Sequence, residues 1–123
     1  MSANRDLERA GIELAAHRPK VAAALTFIAE HFREPITTEQ IADAGNYAQR
    51  GLQDAFRRDL HRTPTDLIIE LRLRAARDAL TDRRGPRTVR QAALEAGALH
   101  AGRFSVRYRN LFGETPRQTL QRR

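Results

Sequence analysis

The chain contains no cysteine, a single lysine, and few aromatic side chains, 6% of its 123 residues. Without cysteine it forms neither disulfides nor thiolate metal sites, a composition compatible with a reducing compartment. No apolar run comes near the roughly 20 residues of a membrane-spanning helix. The opening Met1-Ser2-Ala3-Asn4-Arg5-Asp6 lacks the basic-then-apolar pattern of a secretion signal. Strand patterns are missing: no stretch alternates apolar and polar residues with β-branched enrichment. Catalytic patterns are equally scarce, with no Ser-His-Asp arrangement, phosphate-cradling glycine loop or deaminase-like metal motif. His17, His31 and His61 have no ligand spacing and read as surface or cap residues, and Glu30 and Glu34 as a solvated face. These absences predict a soluble, cytoplasmic, all-α protein that is not an enzyme and needs no cofactor or metal.

What the chain does contain is a repeat. Leu52, Phe56, Leu60, Thr63 and Pro64 recur 52 residues later as Phe104, Tyr108, Phe112, Thr115 and Pro116, each set preceded by a glycine, Gly45 or Gly97. Each copy reads as short helix, turn, longer amphipathic helix and a Thr-Pro helix start, which is the pattern of a helix-turn-helix unit. With 41% apolar residues, a chain of this length makes one domain or two small ones.

Charge is unevenly placed. The net charge is +7, with five basic and seven acidic residues in 1–49 against seventeen and eight in 50–123. A polyanion would find the second part. All basic residues but Lys20 are arginine, whose planar fork suits phosphates and guanine edges. Two helix-turn-helix units in a basic chain predict a protein that lays two helices on double-stranded DNA.

Seven helices are expected in the main body, at about 19–33, 37–45, 48–60, 64–81, 88–96, 100–112 and 116–121, after a looser one over 4–17. Val21, Leu25, Ile28 and Phe32 mark the buried face of the first. Thr37 with Gln40, Thr88 with Gln91 and Thr115 with Gln118 have the spacing of capping boxes, and Thr63-Pro64 places proline where its missing donor costs nothing. Asp82-Arg83-Arg84-Gly85-Pro86 breaks the long helix and is the expected mobile segment.

The arrangement resembles the DNA-binding domain of the AraC/XylS transcription regulators over residues 19–121. The resemblance is carried by Pro35-Ile36-Thr37, Ile41-Ala42, Leu52-Gln53, Phe56-Arg57-Arg58, Thr63-Pro64, Leu71-Arg72-Leu73 and Ala75-Ala76-Arg77. In the second half it is carried by Gly97, Gly102-Arg103-Phe104-Ser105, Tyr108-Arg109, Phe112-Gly113-Glu114 and Thr115-Pro116. It implies two homeodomain-like helix-turn-helix subdomains, 19–62 and 83–123, joined by a linker helix in 63–82, with 1–18 as an N-terminal extension or linker. It also implies that helices 48–60 and 100–112 enter successive major grooves on one DNA face. Such grooves lie roughly 34 Å apart, and an 18-residue helix spans about 27 Å.

The implied activity is sequence-specific transcriptional regulation, activation above repression, at the bacterial nucleoid, with RNA polymerase as a further partner. Family members commonly carry an upstream effector-sensing or dimerisation domain, for which 18 residues are too few. The chain then reads either as a piece of a larger regulator or as a small single-domain member. The rival reading is a protein-interaction or effector-responsive helical module.

Within the two reading helices, the apolar repeat must face the core and the opposite side the groove. Gln49, Arg50 and Gln53 in the first, and Arg103, Val106 and Arg107 in the second, are the expected base readers. Arg57, Arg58, Ser105 and Arg109 are the expected phosphate contacts, and His100 opens the second reader. Asp54 is expected to pair with Arg50 or Arg58 within its helix, and Gly51 to weaken that helix. Asn46 is expected to tolerate left-handed geometry in the first turn.

Overall fold

A computed structural model describes residues 2–98 and 101–123. Every regular element among them is helical: α1 (Ser2–Arg9), a 3-10 turn (Leu14–Ala16), α2 (Pro19–His31), α3 (Thr38–Ala44), α4 (Gln49–Leu60), α5 (Pro64–Thr81), α6 (Val89–Glu95), α7 (Ala101–Phe112) and α8 (Pro116–Arg122). The all-α expectation holds, and the seven main helices fall within two residues of the expected bounds. The chain forms two compact units, residues 1–71 and 72–123, whose boundary lies inside α5.

Threonines start four of these helices. Thr37 accepts from the Gln40 amide at 3.1 Å while the Gln40 side chain accepts from the Thr37 amide at 2.9 Å, satisfying two donors that a helix start would leave orphaned. Thr115 and Gln118 repeat this at 3.1 and 2.8 Å. At α6 the hydroxyl half is made, Thr88 accepting from the Gln91 amide at 3.1 Å. At α5 the partner is an acid the sequence pattern did not flag. Thr63 takes the Asp66 amide at 3.0 Å, and Asp66 takes the Thr63 amide at 3.4 Å.

In the first unit α2 buries Val21, Leu25 and Ile28 as its spacing requires, together with Ala24 and Ala29. Phe32, Ile41, Leu52, Phe56, Leu67 and Leu71 complete this core. Residues before α2 belong to it as well. The helix expected over 4–17 stops at Arg9, because Gly11 takes φ +81°. The Ile12 amide bonds to the Leu7 carbonyl and the Gly11 amide to that of Glu8, both at 2.9 Å. This is the glycine closure that brings the flanking apolar pair together, and both Leu7 and Ile12 are buried. Arg62 ties the segment down further, donating to the Ala10 carbonyl at 3.2 Å and pairing with Glu70.

In the second unit the apolar layer is thinner. The buried side of α6 consists of alanines, Ala92 and Ala93. Bulk comes from Leu73 and Leu80 of α5 and from an aromatic ladder along α7: Phe104 and Tyr108 rings are 5.7 Å apart, Tyr108 and Phe112 4.7 Å. Phe112 carries the Arg77 guanidinium over its face at 4.7 Å, a cation–π contact.

Candidate nucleic-acid interface

Each unit holds a short helix and a longer one joined by a tight turn, and the turn chemistry is the same in both. After α3 the Tyr47 amide reaches the Ala42 carbonyl at 2.7 Å and the Asn46 amide that of Asp43 at 3.0 Å. After α6 the Ala98 amide reaches Ala93 at 2.9 Å and the Gly97 amide Leu94 at 3.1 Å. The left-handed residues are Asn46, φ 56°, and Gly97, φ 86°. Asn46 behaves as expected, but the repeat alignment of Gly45 with Gly97 is corrected. The structural counterpart of Gly97 is Asn46, so the second unit has one more residue between turn and reader. Gly45 is small for another reason: a Cβ there would lie 2.9 Å from the Lys20 carbonyl oxygen and from the Tyr47 ring.

Both longer helices end alike. His61, φ 56°, bonds its amide to the Arg57 carbonyl at 3.1 Å, and Gly113, φ 76°, to the Arg109 carbonyl at 2.8 Å. His61 is thus a cap residue. His31 lies at the surface side of α2, its Nδ1 2.8 Å from Glu34 and its ring 4.6 Å from Phe27.

On α4, Leu52, Ala55 and Phe56 are buried, while Gln49, Arg50, Asp54, Arg57 and Arg58 are exposed and Gln53 is half-buried. Arg50, Gln53, Asp54 and Arg57 stand at helical spacing on one stripe. Gln49 is not wholly free, since the Thr38 hydroxyl donates to its Oε1 at 3.4 Å. Arg58 does not take Asp54 as its bonded partner. Its Nε donates to Asp59 at 3.0 Å, and the other Asp59 oxygen takes Arg18 Nη2 at 3.1 Å. These bonds, Arg58 first, hold the Asp59 carboxyl below its ordinary pKa, and the same Asp59 bond raises that of Arg58. Asp54 acts on Arg58 only through its charge. Local spacing could not reveal the Asp59 bridge, because Arg18 lies 41 residues away.

On α7, Phe104 and Tyr108 are buried and Arg103, Ser105, Val106, Arg107 and Arg109 are all exposed, Val106 by 61%. Arg103, Arg107 and Arg109 have no ion-pair partner among the described residues. His100 lies outside the described residues. A groove of about 390 Å³ runs between α6 and α7, lined by Val89, Ala93, Leu94, Ala98 and Phe104, with Arg90 and Ser105 as its polar members. Arg90, overlooked in the sequence, therefore borders the reader. Near the start of α4, Lys20 Nζ sits 4.3 Å over the Tyr47 ring, a second contact that periodicity could not reveal.

Among the described residues no cluster of three or more His, Cys, Asp or Glu side chains could hold a metal ion, and no helix is long and apolar enough to cross a membrane.

Comparison with known proteins adds to this geometry. A family model described as a helix-turn-helix domain matches residues 41–122. The chain is 34% identical over 110 residues to the HTH-type transcriptional regulator ArgR of Pseudomonas aeruginosa, a match covering 89% of this chain and 33% of that protein. It is also 34% identical over 106 residues to the XylDLEGF operon transcriptional activator 1 of Pseudomonas putida, covering 85% of this chain and 32% of that one. The chain spans about a third of the length of these curated relatives. A solved structure, that of a probable AraC family transcriptional regulator from Rhodopseudomonas palustris, superposes with a TM-score of 0.81 at 34% identity, covering 85% of this chain and 97% of that one.

Proposed function

Because this chain belongs to the AraC-type helix-turn-helix family, we propose that it binds double-stranded DNA sequence-specifically as the DNA-binding part of a bacterial transcriptional regulator. The carrying observation is the paired design: each unit packs the inner face of its longer helix and leaves an outer face rich in arginine and amide groups exposed. In this reading α4 and α7 enter successive major grooves, with α5 linking the two readers. Gln49, Arg50, Gln53, Arg103, Val106 and Arg107 face base edges. Arg57, Arg58, Ser105 and Arg109 face phosphates, Arg58 while still held by Asp59. The name of the Pseudomonas putida relative supports activation. RNA polymerase is then the second partner, and the nucleoid the place of action.

Selection of bound sequences from random duplex DNA tests the reading. Two half-sites about one helical turn, roughly 34 Å, apart are expected. Arg103→Ala is expected to cost about 1–3 kcal/mol and relax preference at one base pair, whereas Arg109→Ala weakens all sequences alike. Equal affinity for scrambled and selected duplexes at physiological salt would overturn the proposal.

A further inference from the structure

The loop from Asp82 to Thr88 holds a charge that neither reader helix accounts for. Arg83, Arg84 and Arg87 lie within it and Arg90 follows in the first turn of α6. All four are exposed, and none of their side chains has a hydrogen-bond or ion-pair partner among the described residues. The backbone beneath them is closely tied. The Asp82 side chain accepts from the Arg84 amide and its carbonyl from the Gly85 amide, both at 2.9 Å. Arg123 donates to the same carbonyl at 2.6 Å. Gly85 packs so near that a Cβ would lie 2.5 Å from the Ala79 carbonyl oxygen. The segment read as the mobile one forms a hydrogen-bonded turn that presents unpaired guanidinium groups.

We infer that Arg83, Arg84, Arg87 and Arg90 form a phosphate-binding wing, a second duplex-backbone contact of the unit that carries α7. This rests on the DNA-binding reading above and extends it beyond the readers. The favoured ligand is the duplex backbone because Arg90 shares its groove with Ser105 of α7, so wing and reader border one surface. A lipid surface would call for apolar side chains among the arginines, and residues 82–88 offer only Pro86. Two acids border the wing: Asp82, whose carboxylate takes the Arg84 amide, and Glu95, which lines a notch with Arg84 and Arg87; against four arginines the balance stays positive. The second unit holds thirteen basic and four acidic residues, the first nine and eleven. The net positive charge therefore lies in the second unit, where the wing adds to it.

The test uses the full chain, a selected duplex and a random one, and binding titrations across salt concentrations. Each phosphate neutralised contributes about 0.9 to the slope of log K against log salt. The Arg83→Gln, Arg84→Gln, Arg87→Gln variant is expected to flatten that slope by about 2–3 on both duplexes while their affinity ratio stays unchanged. The corresponding triple lysine variant keeps the slope, which separates charge from a structural role. A glutamine variant with wild-type slope overturns the wing, as does loss confined to the selected duplex. So does loss of binding to phosphatidylglycerol vesicles with the duplex slope intact. If the wild-type protein binds neither duplex, the DNA reading itself falls and the wing with it. Wild-type binding with an unaltered glutamine variant removes the wing alone.

Discussion

Glu114 takes both terminal guanidinium nitrogens of Arg122, at 2.6 and 2.9 Å. The same two positions of the first repeat, 52 residues earlier, hold Arg62 and Glu70, also paired but with the signs exchanged. Each pair clamps the loop before a Thr-Pro helix start to the second turn of that helix. The exchange means that neither clamp could pair with the other unit's partner, since Arg62 would meet Arg122 and Glu114 would meet Glu70. Repeat proteins are prone to such misassembly, and opposite coding opposes it.

A double-mutant cycle checks the clamp. Glu114→Arg and Arg122→Glu should each destabilise the protein, and the double variant should recover about 0.5–1 kcal/mol, the modest value reflecting the exposure of Arg122. Urea denaturation measures all four corners. Strictly additive singles would show that the pair contributes nothing.

A polar pair in the second unit replaces an apolar one in the first. Tyr108 donates to Thr119 at 2.8 Å where the first repeat buries Phe56 and Leu67. Tyr108→Phe should cost about 1 kcal/mol by leaving Thr119 short of a partner, and adding Thr119→Leu should cost less than the two changes separately. Burial pushes the Tyr108 hydroxyl above its usual range. Its contribution is complete below about pH 10, the ordinary tyrosine value, and is lost as pH rises through the raised one. Urea midpoints from pH 8 to 11 should fall more steeply for wild type than for Tyr108→Phe.

Asp59 makes the opposite prediction at acid pH. Its carboxyl is depressed in the folded state by Arg58 and Arg18. Stability from it is present above the ordinary carboxylate range, near pH 4, and disappears as pH falls through the depressed value. Asp59→Asn should flatten the acid limb of stability between about pH 2 and 5. An acid limb identical to wild type would remove Asp59 from the account.

His61 pays a conformational cost that Gly113 avoids at the equivalent cap. His61→Gly should stabilise the first unit by about 0.5–1 kcal/mol, because left-handed geometry disfavours a side chain by more than glycine loses in chain entropy. Thermal melting decides it, and a lower midpoint would contradict the strain.

The fold was legible wherever local chemistry decides. Four threonine starts, the apolar stripes of α2, α4 and α7, and the left-handed Asn46 follow from nearest neighbours in sequence. What escaped depends on distance or on one-residue offsets. The Gly45–Gly97 alignment failed because the units differ by one residue between turn and reader. Residues 4–17 read as a looser helix in an extension or linker, whereas the burial of Leu7 and Ile12 depends on packing that local spacing does not show. On the candidate interface, exposure of the arginines was foreseeable from the apolar repeat, whereas the Arg18–Asp59–Arg58 bridge and the bonds that Asp82 makes to Arg84 and Arg123 were not.

The lone lysine has a practical corollary. Lys20 lies in the first turn of α2, stacked on Tyr47 and followed by the buried Val21. An endoproteinase that cuts after lysine therefore has one internal target, and reaching it requires that helical turn to fray. Cleavage kinetics at this single bond would clock the opening of α2 without any label, and anything that holds Tyr47 in place would slow the clock.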